Sequence, residues 1–237
     1  MTISDRSTLV GFVIHTRKFR DTSLIVEFFD RDQGRCGLLF RGARSSKGKQ
    51  ANVAADLTLF KKIRVQQLSR GELPLAKILE CVSGPRVIRG QSSIIGMYVN
   101  ELIYRLLGPF EAHSEVFDAY ESLIESLALA PFDLGRLRRF ELLLLAELGY
   151  GIDFSYDSTT GQEIQDDSVY QYIHGQGFSS GLGGSGMKFP GHELNVLSKG
   201  EMSTAGQKIV KQVVRQAIHH LLDGRGLKSR EMLETRG

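Results

Sequence analysis

The chain has 237 residues, room for one large domain or two small ones, and its 41% apolar and 24% charged residues exclude a disordered tail protein. The apolar runs, such as Leu142 to Ala146, are far too short for a membrane span, and the polar start at Thr2, Ser4, Asp5 and Arg6 carries no signal-peptide stretch. Two cysteines, Cys36 and Cys81, rule out a disulfide framework and point to a reducing cytoplasm, while the net charge of +3 looks too mild to imply a polyanionic partner.

The first 84 residues read as strands. Thr8–His15 and Thr22–Phe29 are rich in Val, Ile, Leu and Phe, and the turn residues of Asp30–Gly34 separate them from a third run, Arg35–Arg41. In that run Cys36, Leu38 and Phe40 share one face, and Arg35, Gly37, Leu39 and Arg41 share the other. A fourth strand is expected over Leu57–Val65, with Leu57, Leu59, Ile63 and Val65 on one side, Thr58, Phe60, Lys62 and Arg64 on the other, and Lys61 breaking the pattern. A fifth is expected over Leu73–Cys81, with Pro74 near its start. Five short strands with a basic loop after the third fit a small closed barrel of the oligonucleotide-binding (OB) type, although the pattern also permits an SH3-like barrel.

After Pro85 the apolar period becomes helical. Ser92–Leu107 repeats Ile95, Tyr98/Val99, Leu102 and Leu106 and is stopped by Gly108-Pro109. Ser114 is placed to cap a second helix with a stripe of Phe117, Tyr120, Ile124 and Leu127. Asp133 caps a third, with Leu137, Phe140, Leu144 and Leu148 inward and Gly149 just past its end; the unbroken Leu142–Leu145 predicts burial on most sides. Residues 150–191 are rich in Gly, Ser and Asp, with Val169–Ile173 alone reading as a strand, so an irregular insert or small hairpin is expected. Ser203 opens a last long helix through Leu222, closed by Gly224, and Leu227–Leu233 is a short amphipathic segment. The expected fold class is therefore α+β: a five-stranded OB barrel over 1–84, then a helical domain over 85–237.

Division at Gly84-Pro85 changes the meaning of the charge. Residues 1–84 hold 15 Lys+Arg against 8 Asp+Glu, or +7, which leaves 15 against 19, or −4, for the remainder. From Gln33 to Ala55 there is no acidic residue, and Arg35, Arg41, Arg44, Lys47 and Lys49 gather around a loop of small residues. Internal ion pairs explain such a loop poorly; a phosphate backbone would neutralise it. Arg35 shares the face of Arg41 and extends the track. Phe60, with Lys62 and Arg64 at the same parity, is a candidate for base stacking. Lys208, Lys211 and Arg215 form a basic stripe on the last long helix, which is a solvated face or a second DNA surface; Lys228 and Arg230 share that choice or dock against the barrel. No catalytic constellation is present. Gly181-x-Gly183-x-x-Gly186 follows no strand, Gly42–Lys49 has the wrong spacing for a P-loop, and the neighbours His219 and His220 point apart on a helix. No cofactor or metal is expected.

Taken together, Asp21-Thr-Ser-Leu24, Gly34-Arg35, Arg41-Gly-Ala-Arg44, Tyr98-Val-Asn-Glu101, Leu137-Arg-Arg-Phe-Glu141, Leu148-Gly-Tyr-Gly151 and Leu227-Lys-Ser-Arg230 resemble, in order, the bacterial RecO family of recombination mediators. The resemblance covers essentially the whole chain. It implies an OB domain followed by a helical domain, and a non-enzymatic activity: binding single- and double-stranded DNA, annealing complementary strands, and helping RecA replace the single-stranded-DNA-binding protein (SSB) together with RecR. It also implies that the helical domain holds the acidic C-terminal tail of SSB, for which Arg138 and Arg139 are the candidate carboxylate contacts. A monomer in the cytoplasm, associated with the nucleoid, is expected. Many relatives carry two Cys-x-x-Cys pairs in the insert; Tyr156–Gly177 contains no cysteine, which excludes a Cys-bound zinc there and leaves backbone pairing with Tyr156, Tyr170, Tyr172 and Phe178 to shape it. The alternative is a protein-interaction adaptor whose basic barrel takes an acidic partner.

Overall fold

The apolar runs at the start of the chain form an antiparallel sheet of β1 (Thr8–Phe19), β2 (Ser23–Asp30), β3 (Gly34–Phe40), β4 (Lys62–Gln67) and β5 (Ala76–Cys81). The structure, a computed structural model, describes residues 7–45, 53–82, 88–129, 131–181 and 186–234. Ladder pairing runs β3-β2-β1-β4-β5. Leu39 of β3 forms a parallel bridge to Leu75, just before β5, and its N–H donates to Pro74 O at 2.9 Å. This is the partly open architecture of an OB-like fold; the fully closed barrel expected from the strand count is not formed, because no ladder joins β3 to β5 among the described residues.

All eight residues of β2 are buried, since both of its faces are covered. One lines the barrel interior with Leu9, Val13, Cys36, Leu38, Phe40, Ile63 and Val65. The other lies beneath α2 (Gly90–Leu106) and α3 (Ser114–Leu127), where Phe12 and Phe29 meet Phe117 and Tyr120 with ring centroids 5.1–5.8 Å apart. A bulge between Val13 and His15 breaks the β1–β2 register. The carbonyl of the intervening Ile14 accepts from Asn100 Nδ2 at 3.0 Å, and Tyr120 Oη donates to Asn100 Oδ1 at 2.7 Å. This buried chain of bonds ties sheet, α2 and α3 together. At the β2–β3 turn the Asp30 carboxylate accepts from Val10, Asp32 and Gln33 N–H groups, and Gly34 follows at φ +69°, a conformation glycine adopts freely.

The expected fourth strand starts too early. A one-turn helix α1 (Val53–Asp56) precedes it, Leu57 plugs the barrel, and Phe60 turns the chain at φ +68°, so extended backbone begins only at Lys62. Lys61, which interrupts the sequence pattern, is buried and paired with Asp56 at 2.5 Å. In α3 the cap position is His113, without a side-chain cap bond, so Ser114 is the first helical residue and not the cap. The last helix, α7 (Lys228–Glu234), belongs to the same compact unit, residues 1–132 with 227–237. It docks on α2, where the Glu101 carboxylate accepts from Lys228 N, Ser229 N and Ser229 Oγ.

Residues 133–226 form the second unit. Its α4 (Leu134–Glu147) is capped by Asp133, which accepts from Gly135 N at 2.8 Å, and packs against α6 (Thr204–Leu221), capped by Ser203. Leu137, Phe140, Leu144 and Leu145 are buried, whereas Leu142 and Leu143 are half-buried, so α4 has one inward face and is not enclosed on most sides. The stretch expected to be irregular contains a three-stranded sheet, β6 (Val169–Ile173), β7 (Gly177–Ser179) and β8 (Lys188–Pro190) in the order β7-β6-β8, followed by α5 (Gly191–Ser198). Phe178 is its centre, against Phe154, Tyr172 and Phe189. Tyr170 is buried, but Tyr156 is exposed. The Asp157 carboxylate accepts from Thr159 N, Thr160 N, Ser180 N and Ser180 Oγ. Burial pushes this carboxyl up, and those four bonds outweigh burial and hold it below the usual range. Among the described residues no helix is long and apolar enough to cross a membrane.

Candidate nucleic-acid interface

One end of the five-stranded sheet gathers cations from two segments. The β1–β2 hairpin supplies Arg17, Lys18 and Arg20, all exposed, and the chain leaving β3 supplies exposed Arg41 and half-buried Arg44. Register explains the gathering. Arg17 pairs with Ile25 and Phe19 with Ser23, while Ile25 pairs with Leu39 and Leu24 with Phe40. Arg41 is therefore one step beyond the β2–β3 ladder, level with Phe19, and Arg17 and Phe19 share the outer face of the sheet. Arg44 latches the two segments: its N–H donates to Thr22 O at 2.8 Å, and its Nη2 donates to Arg20 O at 2.9 Å and to Asp21 O. Segments 16–22 and 41–45 thus carry five cations and one carboxylate, Asp21. Such a surface favours phosphate, by Coulomb attraction and by guanidinium hydrogen bonds.

Of the residues singled out in the sequence, Arg41 and Arg44 are here, and Lys47 and Lys49 fall outside the described residues. Arg35 is elsewhere. Its Nη1 is 2.8 Å from Glu27 Oε2, its Nε donates to Leu107 O at 3.1 Å, and its side chain is only 16% exposed. With its guanidinium also 5.3 Å from the Tyr104 ring, it fastens β3 to α2. Phe60 packs against α2, where a Cβ at Gly96 would stand 2.8 Å from its ring, so glycine is what admits the ring. Lys62 is paired with Glu121 of α3 and lies 5.7 Å from the Phe12 and Phe117 ring centroids. Arg64 faces Glu80 across the β4–β5 ladder in an ion pair. Arg35, Phe60 and Lys62 thus contact the helices, and Arg64 pairs within the sheet while remaining partly exposed.

Arg17, Lys18 and Arg20 were not singled out. Three cations in four residues precede Asp21, but the apolar pattern that predicts the first strand ends at His15. β1 runs on to Phe19 because its last residues pair with the start of β2.

In the second unit, Arg138 Nη1 is 2.8 Å from Glu141 Oε2, with side chains 11% and 0% exposed, so this arginine neutralises a buried carboxylate; Arg139 is exposed. Lys208, Lys211 and Arg215 are exposed on α6, opposite buried Ile209, Val213 and Ile218. Lys228 is exposed on α7, and the Arg230 guanidinium lies 5.9 Å from the Tyr98 ring. His220 meets His174, centroids 4.3 Å apart, while His219 lies near Gly224. Among the described residues no group of three or more His, Cys, Asp or Glu is placed to hold a metal ion.

An OB-like sheet with a cation-rich hairpin, joined to a helical region, defines the class of fold. Residues 4–84 match the family model described as "Recombination protein O N terminal" and residues 90–231 match "Recombination protein O C terminal". The chain is 36% identical over 224 residues to the DNA repair protein RecO of Proteus mirabilis, covering 94% of this chain and 90% of that one. It is 32% identical over 229 residues to the protein of the same name from Psychromonas ingrahamii, covering 95% and 97%. The chain belongs to the RecO family.

Proposed function

We propose that this chain works in DNA repair and recombination as a DNA-binding, strand-annealing mediator, and that it binds DNA at the hairpin end of its OB-like sheet. The observation that carries the reading is the convergence of Arg17, Lys18, Arg20 and Arg41, latched by Arg44, on one end of the sheet. Family membership supports the biological setting, since the relatives bear the name DNA repair protein. Lys47 and Lys49 continue the same basic segment in sequence. Annealing follows from screening: a cationic surface lowers the repulsion between two polyanionic strands, and base pairing supplies the remainder. No acid, base, nucleophile or cofactor takes part in such a step. In this reading the protein acts as a monomer at the nucleoid in the cytoplasm, helping RecA replace SSB with RecR as its partner. The acidic SSB tail finds its carboxylate contact at exposed Arg139, because Arg138 is committed to Glu141. Lys208, Lys211 and Arg215 offer the second DNA surface that holding two strands requires.

A salt titration with a labelled single-stranded oligonucleotide tests this. Four or five phosphate contacts give a log–log slope of roughly −3, at about −0.7 per contact. Arg17→Ala and Arg41→Ala should each shallow the slope by up to about one contact, and Arg35→Ala should leave it alone. Unchanged affinity and slope in an Arg17/Lys18/Arg20/Arg41 quadruple alanine variant would refute the site. Failure of the wild type to bind oligonucleotide would favour an acidic protein as the partner of these cations.

A further inference from the structure

Phe19 stands apart from the other aromatic residues of the sheet. It belongs neither to the barrel interior, which Leu24 and Phe40 fill at this end, nor to the cluster of Phe12, Phe29, Phe117 and Tyr120 beneath the helices. It is half-buried at the last position of β1, on the outer face with Arg17 and level with Arg41. The Arg20 guanidinium carbon is 5.2 Å from its ring centroid. Arg20 itself has φ +49°, in the left-handed region that glycine adopts freely and a long side chain does not. This turn conformation of the hairpin brings the guanidinium back to the Phe19 ring, amid the exposed cations Arg17, Lys18 and Arg41.

We propose that Phe19 and Arg20 form a stacking platform for one unpaired nucleobase of single-stranded DNA, with Arg17, Lys18 and Arg41 on the neighbouring phosphates. The inference rests on the DNA-binding reading above and deepens it. Ring and guanidinium both offer flat π surfaces to a base, and stacking tolerates any sequence because every base has such a face. In a duplex the bases are already stacked and paired, so the platform acts on single strands, whereas the cations act on both. One residue thereby sets strand preference while its neighbours set overall affinity.

The sequence contains no tryptophan, so Phe19→Trp is a unique fluorescent reporter. The full chain carrying it is titrated with oligo(dT) and with an abasic oligonucleotide of equal length, binding being followed in parallel by anisotropy of labelled DNA. The expected result is tryptophan quenching by oligo(dT) and none by the abasic strand. Phe19→Ala should weaken oligo(dT) binding by about 5- to 150-fold with an unchanged salt slope and unchanged duplex affinity. Arg20→Gly should keep or raise the melting temperature, since it relieves the strained backbone, yet weaken single-strand binding. Binding without quenching, together with wild-type affinity in Phe19→Ala, overturns the platform and leaves the phosphate site standing. Absence of binding to either oligonucleotide overturns both.

Discussion

At the scale of single residues, what the fold places beside a basic side chain sets its role. Arg35, Lys62, Arg64 and Arg138 each meet a carboxylate, Glu27, Glu121, Glu80 and Glu141 in turn, and for all but the exposed Arg64–Glu80 pair a cost of desolvation is offset locally. Arg17, Lys18 and Arg41 stay in solvent. The distinction predicts opposite mutational signatures. Arg138→Ala removes the arginine paired with buried Glu141 and should destabilise the fold by about 3–5 kcal/mol in a denaturant titration, whereas Arg41→Ala should change stability by no more than about 0.5 kcal/mol. Equal stabilities for the two variants would contradict this assignment. Sequence pattern could not separate these fates. Arg35 and Arg41 have the same parity on one strand, and what distinguishes them is a carboxylate eight residues away and a carbonyl at Leu107, contacts that only the tertiary fold brings within reach.

Elements were legible where period and punctuation agree. The turn at Asp30–Gly34, the helix caps at Asp133 and Ser203, and the inward stripes of α3 and α6 all follow local rules and are found in place. The departures have physical causes. Leu57 and Leu59 have strand-like spacing but plug the barrel after α1, and short β7 and β8 acquire their form from pairing with β6 and not from their own residues. No propensity foretells the buried bond chain from Tyr120 through Asn100 to Ile14, because it serves a bulge that exists only once β1 and β2 have paired. It makes a direct prediction for the helix–sheet contact. Asn100→Ala should cost about 1–3 kcal/mol for each buried group left unpaired, and Tyr120→Phe should cost less, since it orphans only the Asn100 oxygen. Thermal melts of the two variants give that order, and the reverse order would contradict the amide bridge from Asn100 to Ile14 as the main polar tie between helix and sheet.

For the whole molecule, a net charge of +3 conceals a first 84 residues at +7 and a remainder at −4. The fold refines that division, for α2, α3 and the C-terminal helix pack into the same unit as the sheet, and part of the basic half is neutralised by Asp118 and Glu121 of α3, which pair with Arg31 and Lys62. What survives is a small cation cluster at the hairpin end, which holds more of the proposed function than the average charge suggested. Family membership was legible from motifs spread along the chain; the location of the cluster was not, because it depends on register between β1, β2 and the segment after β3. Hydrogen–deuterium exchange of the full chain, with and without a single-stranded oligonucleotide, tests this location most directly. Slower exchange in residues about 16–24 and 38–45 is the predicted result, and protection absent there, even if present on α6 around Lys208–Arg215, would contradict it.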